Sequence, residues 1–155
     1  MNLPPLWSSA RGDSPLFRRD TLSAEEEAWG ARLRGRSVLL VEDEVLIAMD
    51  IASTLEGGGV SVVGPFGHVA PTLEHLTADP RVDVAILDVR LGRESVFPVA
   101  RHLQAKGVPF VFHTGHASRA DLAATFPAAP VCLKPIPIDK LLLSAAALVP
   151  APGDE

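Results

Sequence analysis

Arg81-Val82-Asp83-Val84-Ala85-Ile86-Leu87-Asp88 is a short apolar run, mostly β-branched residues and leucine, that stops abruptly at a carboxylate. Its length suits a buried strand better than a helix. Working outward, the same grammar recurs. Upstream, Val38–Val41 ends in Glu42-Asp43-Glu44; downstream, Val108–Phe112 ends in His113-Thr114-Gly115, and Val131–Leu133 ends in Lys134-Pro135. Val60–Val63 supplies a further strand. Between the strands the apolar spacing changes to that of helices. Ile47, Ile51 and Leu55 recur at i, i+4, i+8; Val69, Leu73 and Leu76 follow, then Val96, Ala100 and Leu103, then Ser118–Thr125. A last helix over Ile138–Val149 turns Leu141, Leu142, Ala145 and Leu148 inward. Five strands alternating with helices imply an α/β fold, a parallel sheet covered on both faces. Right-handed crossovers make it doubly wound, and ligands of such sheets bind beyond the carboxyl ends of the strands.

Those strand ends therefore decide the chemistry. Each residue there has an ordinary explanation alone: an Asp as helix cap, a Lys as solvated charge, a Thr as turn residue. Together they bring carboxylates, a hydroxyl and an ammonium to one edge. Carboxylates converging in a cleft repel one another, and a hard divalent cation with oxygen ligands, Mg²⁺, relieves that repulsion. A carboxylate there can act as a nucleophile and form an aspartyl phosphate. Lys134 would neutralise phosphoryl oxygens and Thr114 could donate a hydrogen bond to one. Neither G-x-x-x-x-G-K-[ST] nor G-x-G-x-x-G occurs, so the phosphodonor is not a nucleotide bound by such a loop.

Val38-Leu39-Leu40-Val41-Glu42-Asp43-Glu44, Ile86-Leu87-Asp88-Val89, Thr114 and Leu133-Lys134-Pro135 resemble the signature segments of response-regulator receiver domains, over roughly residues 36–149. The resemblance implies a flavodoxin-like five-stranded sheet of order 2-1-3-4-5. It implies Asp88 as phosphoacceptor, Glu42 and Asp43 as the acidic pair with Asp43 a direct Mg²⁺ ligand, and the backbone carbonyl of Arg90 completing the metal shell. It makes Thr114 the switch hydroxyl and Lys134 the phosphate-binding lysine, with a Lys134–Pro135 bond that is commonly cis in the family. The implied partners are a histidine kinase or phosphotransfer protein and a downstream protein. Two positions depart from the family pattern. Glu42 stands where Asp is usual, and Val131 stands where a switch Tyr or Phe is usual. Phe110-Val111-Phe112-His113-Thr114-Gly115-His116 is similar to the F-A-T-G motif of a subgroup of mostly single-domain receivers from alphaproteobacteria. His113 and His116 read as loop polarity rather than metal ligands, for want of a further Cys or His signature. His116 falls where the family tunes phosphate lifetime.

The remaining sequence sets bounds. The 155 residues are 47% hydrophobic and 21% charged, a globular composition. A net charge of −5 argues against nucleic acid as a partner. No apolar run approaches the roughly 18–20 residues that span a bilayer, and residues 1–20 lack a signal-peptide pattern. With a single cysteine, Cys132, a cytoplasmic protein is expected. Residues 1–35 divide into an irregular arm and a short helix opened by a Ser23…Glu26 capping box and stopped at Gly35. That helix either docks on the domain or serves dimerisation or output; homodimerisation is left open. Residues 36–150 form the receiver unit and 151–155 a tail. Because the sequence stops at Glu155, the expectation is a stand-alone receiver without an output domain, and no enzyme beyond Mg²⁺-dependent self-phosphorylation and autodephosphorylation. Two competing classes are weighed. A haloacid-dehalogenase-type phosphohydrolase wants a second Asp two residues past its nucleophile, and position 90 is Arg. An interaction module that keeps the fold without phosphorylation would be indifferent to Asp88→Asn.

Overall fold

In the computed structural model residues 22–115 and 119–154 are described; the N-terminal arm expected over residues 1–20, and His116, lie outside them. The elements run α1 (Ala24–Leu33), β1 (Ser37–Val41), α2 (Val45–Gly57), β2 (Ser61–Phe66), α3 (Val69–Thr77), β3 (Val84–Leu87), β4 (Arg90–Leu91), β5 (Glu94–Ser95), α4 (Phe97–Ala105), β6 (Phe110–Thr114), α5 (Arg119–Thr125), β7 (Val131–Leu133) and α6 (Ile138–Ala146). The main sheet is parallel with order β2-β1-β3-β6-β7, the expected 2-1-3-4-5 once the short strands β4 and β5 are set aside.

The sheet works because its central strands are apolar on both faces. Every residue of β3 and β6 is buried. Their side chains alternate between two cores. Val38, Leu40, Val84, Ile86 and Val111 join Ile51 and Leu55 of α2 and Leu141, Leu142 and Ala145 of α6. Leu39, Val41, Ala85, Leu87, Phe110 and Phe112 join Leu76, Val99, Leu103, Leu122 and Phe126 on the opposite face. There the rings of Phe110, Phe112 and Phe126 meet edge to face at centroid distances of 5.4–5.7 Å, the arrangement their quadrupoles favour. Edge strand β2 is only half-buried. Among the described residues no helix is long and apolar enough to cross a membrane.

Three features go beyond the sequence reading. The β3 strand starts at Val84 rather than Val82; just before it, the Asp83 amide donates to the Ser37 carbonyl at 2.8 Å and its carboxylate accepts from the Ser37 amide at 2.7 Å, closing the start of the β1–β3 pair. An antiparallel hairpin, β4–β5, follows Asp88; Gly92 turns it at φ +62°, a conformation glycine adopts without a steric penalty. Among the described residues two X–Pro bonds are cis, Lys134–Pro135 as the resemblance implied and also Gly64–Pro65.

The N-terminal helix is welded to the domain. Ser23 caps it by accepting from the Glu26 amide at 3.0 Å. Trp29 and Leu33 are fully buried in the α2/α6 core. The Trp29 indole lies directly on Gly58, where any Cβ would collide with the ring. Removing a buried Trp side chain costs about 3–5 kcal/mol, so Trp29→Ala should lower the urea midpoint by a corresponding amount. Gly58→Ala should destabilise the wild-type chain by about 1–3 kcal/mol through overpacking. In the Trp29→Ala background the same change should cost little, a non-additivity that a double-mutant cycle measures.

Candidate functional site

The parallel arrangement ends β1, β3, β6 and β7 at the same edge, and the residues just past those ends converge. Asp88 follows β3, and its amide donates to the Val41 carbonyl at 2.8 Å, tying it to the end of β1. Glu42 follows β1, and its amide donates to the Phe66 carbonyl of β2 at 2.8 Å. Thr114 ends β6 and is buried; its carbonyl accepts from the Lys134 amide at 2.9 Å, which fixes the lysine backbone beside it. Glu42 and Asp88 are 4% and 5% exposed, unusual for carboxylates, which stay at the surface unless paired.

Their partner is Lys134. Its ammonium donates to Asp88 Oδ2 at 3.0 Å, lies 3.0 and 3.1 Å from the two Glu42 oxygens, and reaches Glu44 Oε1 at 3.2 Å. Burial works against the lysine charge, but the hydrogen bonds to Asp88 and Glu42 outweigh it and hold the ammonium above the usual lysine range. Glu42 shifts upward. Burial raises its pKa to about 7 and the Asp88 charge adds to the rise, against the lowering hydrogen bond from Lys134. His113 Nδ1 lies 3.8 Å from Glu42 Oε2, too far for a hydrogen bond, and is buried without a partner among the described residues. Burial, helped by the Lys134 charge, lowers its pKa to about 4. His113 is therefore not loop polarity, as its place after the apolar run suggested, but a buried residue of strand β6.

Asp43 and Arg90 complete the rim. Asp43, Glu44, Asp88, Arg90, Gly92, Gly115 and Lys134 line one cleft open to solvent. One oxygen each from Glu42, Asp43 and Asp88 lies within 4.8 Å of the others. An all-oxygen set of this size fits a hard cation such as Mg²⁺. Asp43 is held by the Gly92 amide, which donates to its Oδ2 at 2.8 Å, and the Arg90 amide lies 3.4 Å from Asp88 Oδ1. The expected residues Glu42, Asp43, Asp88, Arg90, Thr114 and Lys134 thus share one sheet edge. Two contributors were not assigned roles from the sequence: Glu44 as a third carboxylate on Lys134, and Gly92 as the amide that orients Asp43. Glycine in Leu91-Gly92-Arg93 marked a turn but could not reveal which carboxylate it would meet.

Comparisons with known proteins agree with this geometry. The family described as the response regulator receiver domain matches residues 38–146. The transcriptional regulatory protein PdtaR of Mycobacterium tuberculosis is 34% identical over 85 residues, 54% of this chain and 41% of that protein. The matched stretch therefore spans less than half of that relative. A response regulator receiver protein from Sinorhizobium medicae superposes with a TM-score of 0.66 at 26% identity, covering 73% of this chain and 93% of that one. SdrG from Sphingomonas melonis gives 0.61 at 41% identity, covering 73% and 95%. With the family match spanning most of the chain and the expected residues gathered at one sheet edge, the chain belongs to the response regulator receiver domain family of two-component signalling.

Proposed function

We propose that Asp88 accepts a phosphoryl group from a histidine kinase or phosphotransfer protein, and that Thr114 and Lys134 convert the added charge into a change of protein–protein contacts. The observation that carries this reading is the Lys134 ammonium 3.0 Å from a buried Asp88 at the floor of an open acidic cleft. An Asp88 oxygen would attack phosphorus in line, the phosphorus–nitrogen bond to the donor imidazole would break, and that imidazole would leave with the bonding pair. Members of this family typically hold Mg²⁺ at an acidic pocket; here Asp43, Asp88, Glu42 and the Arg90 carbonyl would hold it. Bound there, the ion would offset the mutual repulsion of the carboxylates and phosphoryl oxygens.

Lys134 is already beside the acceptor and would exchange its carboxylate partners for phosphoryl oxygen. A phosphoryl group adds roughly −1.5 to −2 charge. Converting a mostly inactive population to a mostly active one takes about 5.5 kcal/mol. A charge-assisted Lys134 contact at roughly 1.5–3 kcal/mol supplies a part, and a Thr114 hydrogen bond a smaller part. For the donor's approach, Val45, Leu46 and Met49 present an exposed apolar strip on α2 at the cleft mouth, 68%, 83% and 60% exposed. Val45 and Met49 line a groove with Asp43, Pro65 and His68. An apolar strip beside a charged cleft suits a helical partner that brings a phosphohistidine to Asp88.

Intact-mass analysis after incubation with Mg²⁺ and a small phosphodonor should give one added phosphoryl group, absent in Asp88→Asn. If every donor leaves the mass unchanged, the chain is better read as an interaction module on a receiver fold. Leu46→Glu or Met49→Glu should slow transfer from a phosphorylated protein donor about 5-fold or more, the roughly 1 kcal/mol that marks a contributing interface residue, while labelling by the small donor stays normal. The site electrostatics also set a pH dependence. The Glu42 pKa is about 7 in the fold against an ordinary 4.5. Its contribution is therefore fully present below about pH 4.5 and lost as pH rises through about 7. With divalent metal chelated, Glu42→Gln should gain stability over the wild-type chain between those values. His113 is common to both chains, so the difference reports Glu42 together with the groups it touches; parallel urea-midpoint curves from pH 4.5 to 8 would refute the assignment.

A further inference from the structure

Helix α1 precedes the family-matched segment, yet its contacts run to the segment that carries Lys134. The Trp29 indole N–H donates to Asp139 Oδ1 at 2.8 Å, and the Ser23 hydroxyl donates to Asp139 Oδ2 at 3.4 Å. Asp139 sits in the first turn of α6, five residues past Lys134. The chain between them is stiff. Pro135 and Pro137 each have φ fixed by their rings. The Pro137 carbonyl accepts from the Lys140 and Leu141 amides at 3.0 and 3.2 Å, and Ile136 and Ile138 pack on the core that holds Trp29. At its other end α1 is tied to the end of α6 by Arg32, which donates to the Ala146 and Val149 carbonyls, both at 3.3 Å.

An element clamped at both ends of α6 feels any movement of the β7–α6 turn. Val131 supplies no aromatic ring to rotate, and the β7–α6 turn is the covalent route from Lys134 to Asp139. Resting on the phosphoacceptor reading above, we propose that α1 reports the state of the site. When Lys134 turns from Glu42 and Glu44 toward a phosphorylated Asp88, the Pro135–Pro137 segment carries Asp139 with it, the bonds to Trp29 and Ser23 lengthen, and α1 docks less tightly. Coupling is reciprocal, so an α1 that is already unlatched favours the phosphorylated arrangement by the same factor.

The chain has two tryptophans, Trp7 and Trp29, so Trp7→Phe in the full chain makes Trp29 the sole emitter. Mg²⁺ with beryllium fluoride serves as the phosphoryl mimic, its binding followed independently by the rise in melting temperature. The expected result is a red shift of Trp29 emission on binding and at least about 5-fold faster hydrogen exchange of α1 amides, a modest coupling by the scale of such effects. Asp139→Ala should tighten binding of the mimic by a matching factor and abolish the emission change. A melting rise with Trp29 emission and α1 exchange unmoved would overturn the inference and leave the phosphoacceptor reading intact. Unchanged affinity in a folded Asp139→Ala chain would overturn it equally. No melting rise at any concentration of the mimic would overturn the phosphoacceptor reading, and this inference with it.

Discussion

The interaction on which the rest of this molecule depends is the Lys134 ammonium among the carboxylates of Glu42, Glu44 and Asp88. Parallel strands end at one edge, so their terminal residues are forced together whatever their charges. Two of these carboxylates are almost wholly removed from water, a position that is expensive for a charge without a partner. One cation cannot neutralise four nearby acids. Burial, with the Asp88 charge adding to it, raises the pKa of Glu42, and oxygen atoms of Glu42, Asp43 and Asp88 gather at an open cleft. An all-oxygen cleft of this kind suits a hard cation.

The fold keeps that edge rigid by making everything behind it apolar. β1, β3 and β6 have almost no exposed residue, and their alternate side chains feed two separate cores. Glu42, Asp43, Asp88 and Lys134 sit one or two residues beyond their strands and Thr114 ends β6, where the ladder still fixes the backbone; Asp43 and Lys134 line the open cleft while Glu42, Asp88 and Thr114 stay largely buried. The β4–β5 hairpin extends this control past β3, since its turn amide holds Asp43 and Leu91 anchors it in the core. Asp43 is thereby held by a backbone amide, and one of its oxygens falls in the cluster with Glu42 and Asp88.

The family pattern accounts for residues 38–146, and α1 adds a third helix to the face already covered by α2 and α6. Its Trp29 fills the space that Gly58 leaves open, and its polar atoms close on α6 from both ends. A helix of ten residues has little stability of its own in water; here tertiary packing holds it. Its persistence therefore depends on the position of α6, which links the N-terminal extension to the loop that bears Lys134.

Much of this was legible in the residues alone. Four apolar runs ending in Glu42-Asp43-Glu44, Asp88, Thr114 and Lys134 specify a parallel sheet and a charged edge, because strand periodicity and helix spacing are local properties. The Ser23…Glu26 cap likewise predicts the start of α1. What the sequence could not contain is distance between segments. Nothing local in Trp29 points to Asp139, 110 residues away, or in Gly92 to Asp43, 49 residues away. The two-residue strands of the hairpin have no periodicity to read, and nor does the return of the Asp83 carboxylate onto the Ser37 amide. Sequence by itself determined which chemical groups reach the functional edge; only the tertiary structure decided which of them pair, because burial and long-range hydrogen bonding are set by the packed sheet and not by neighbours in the chain.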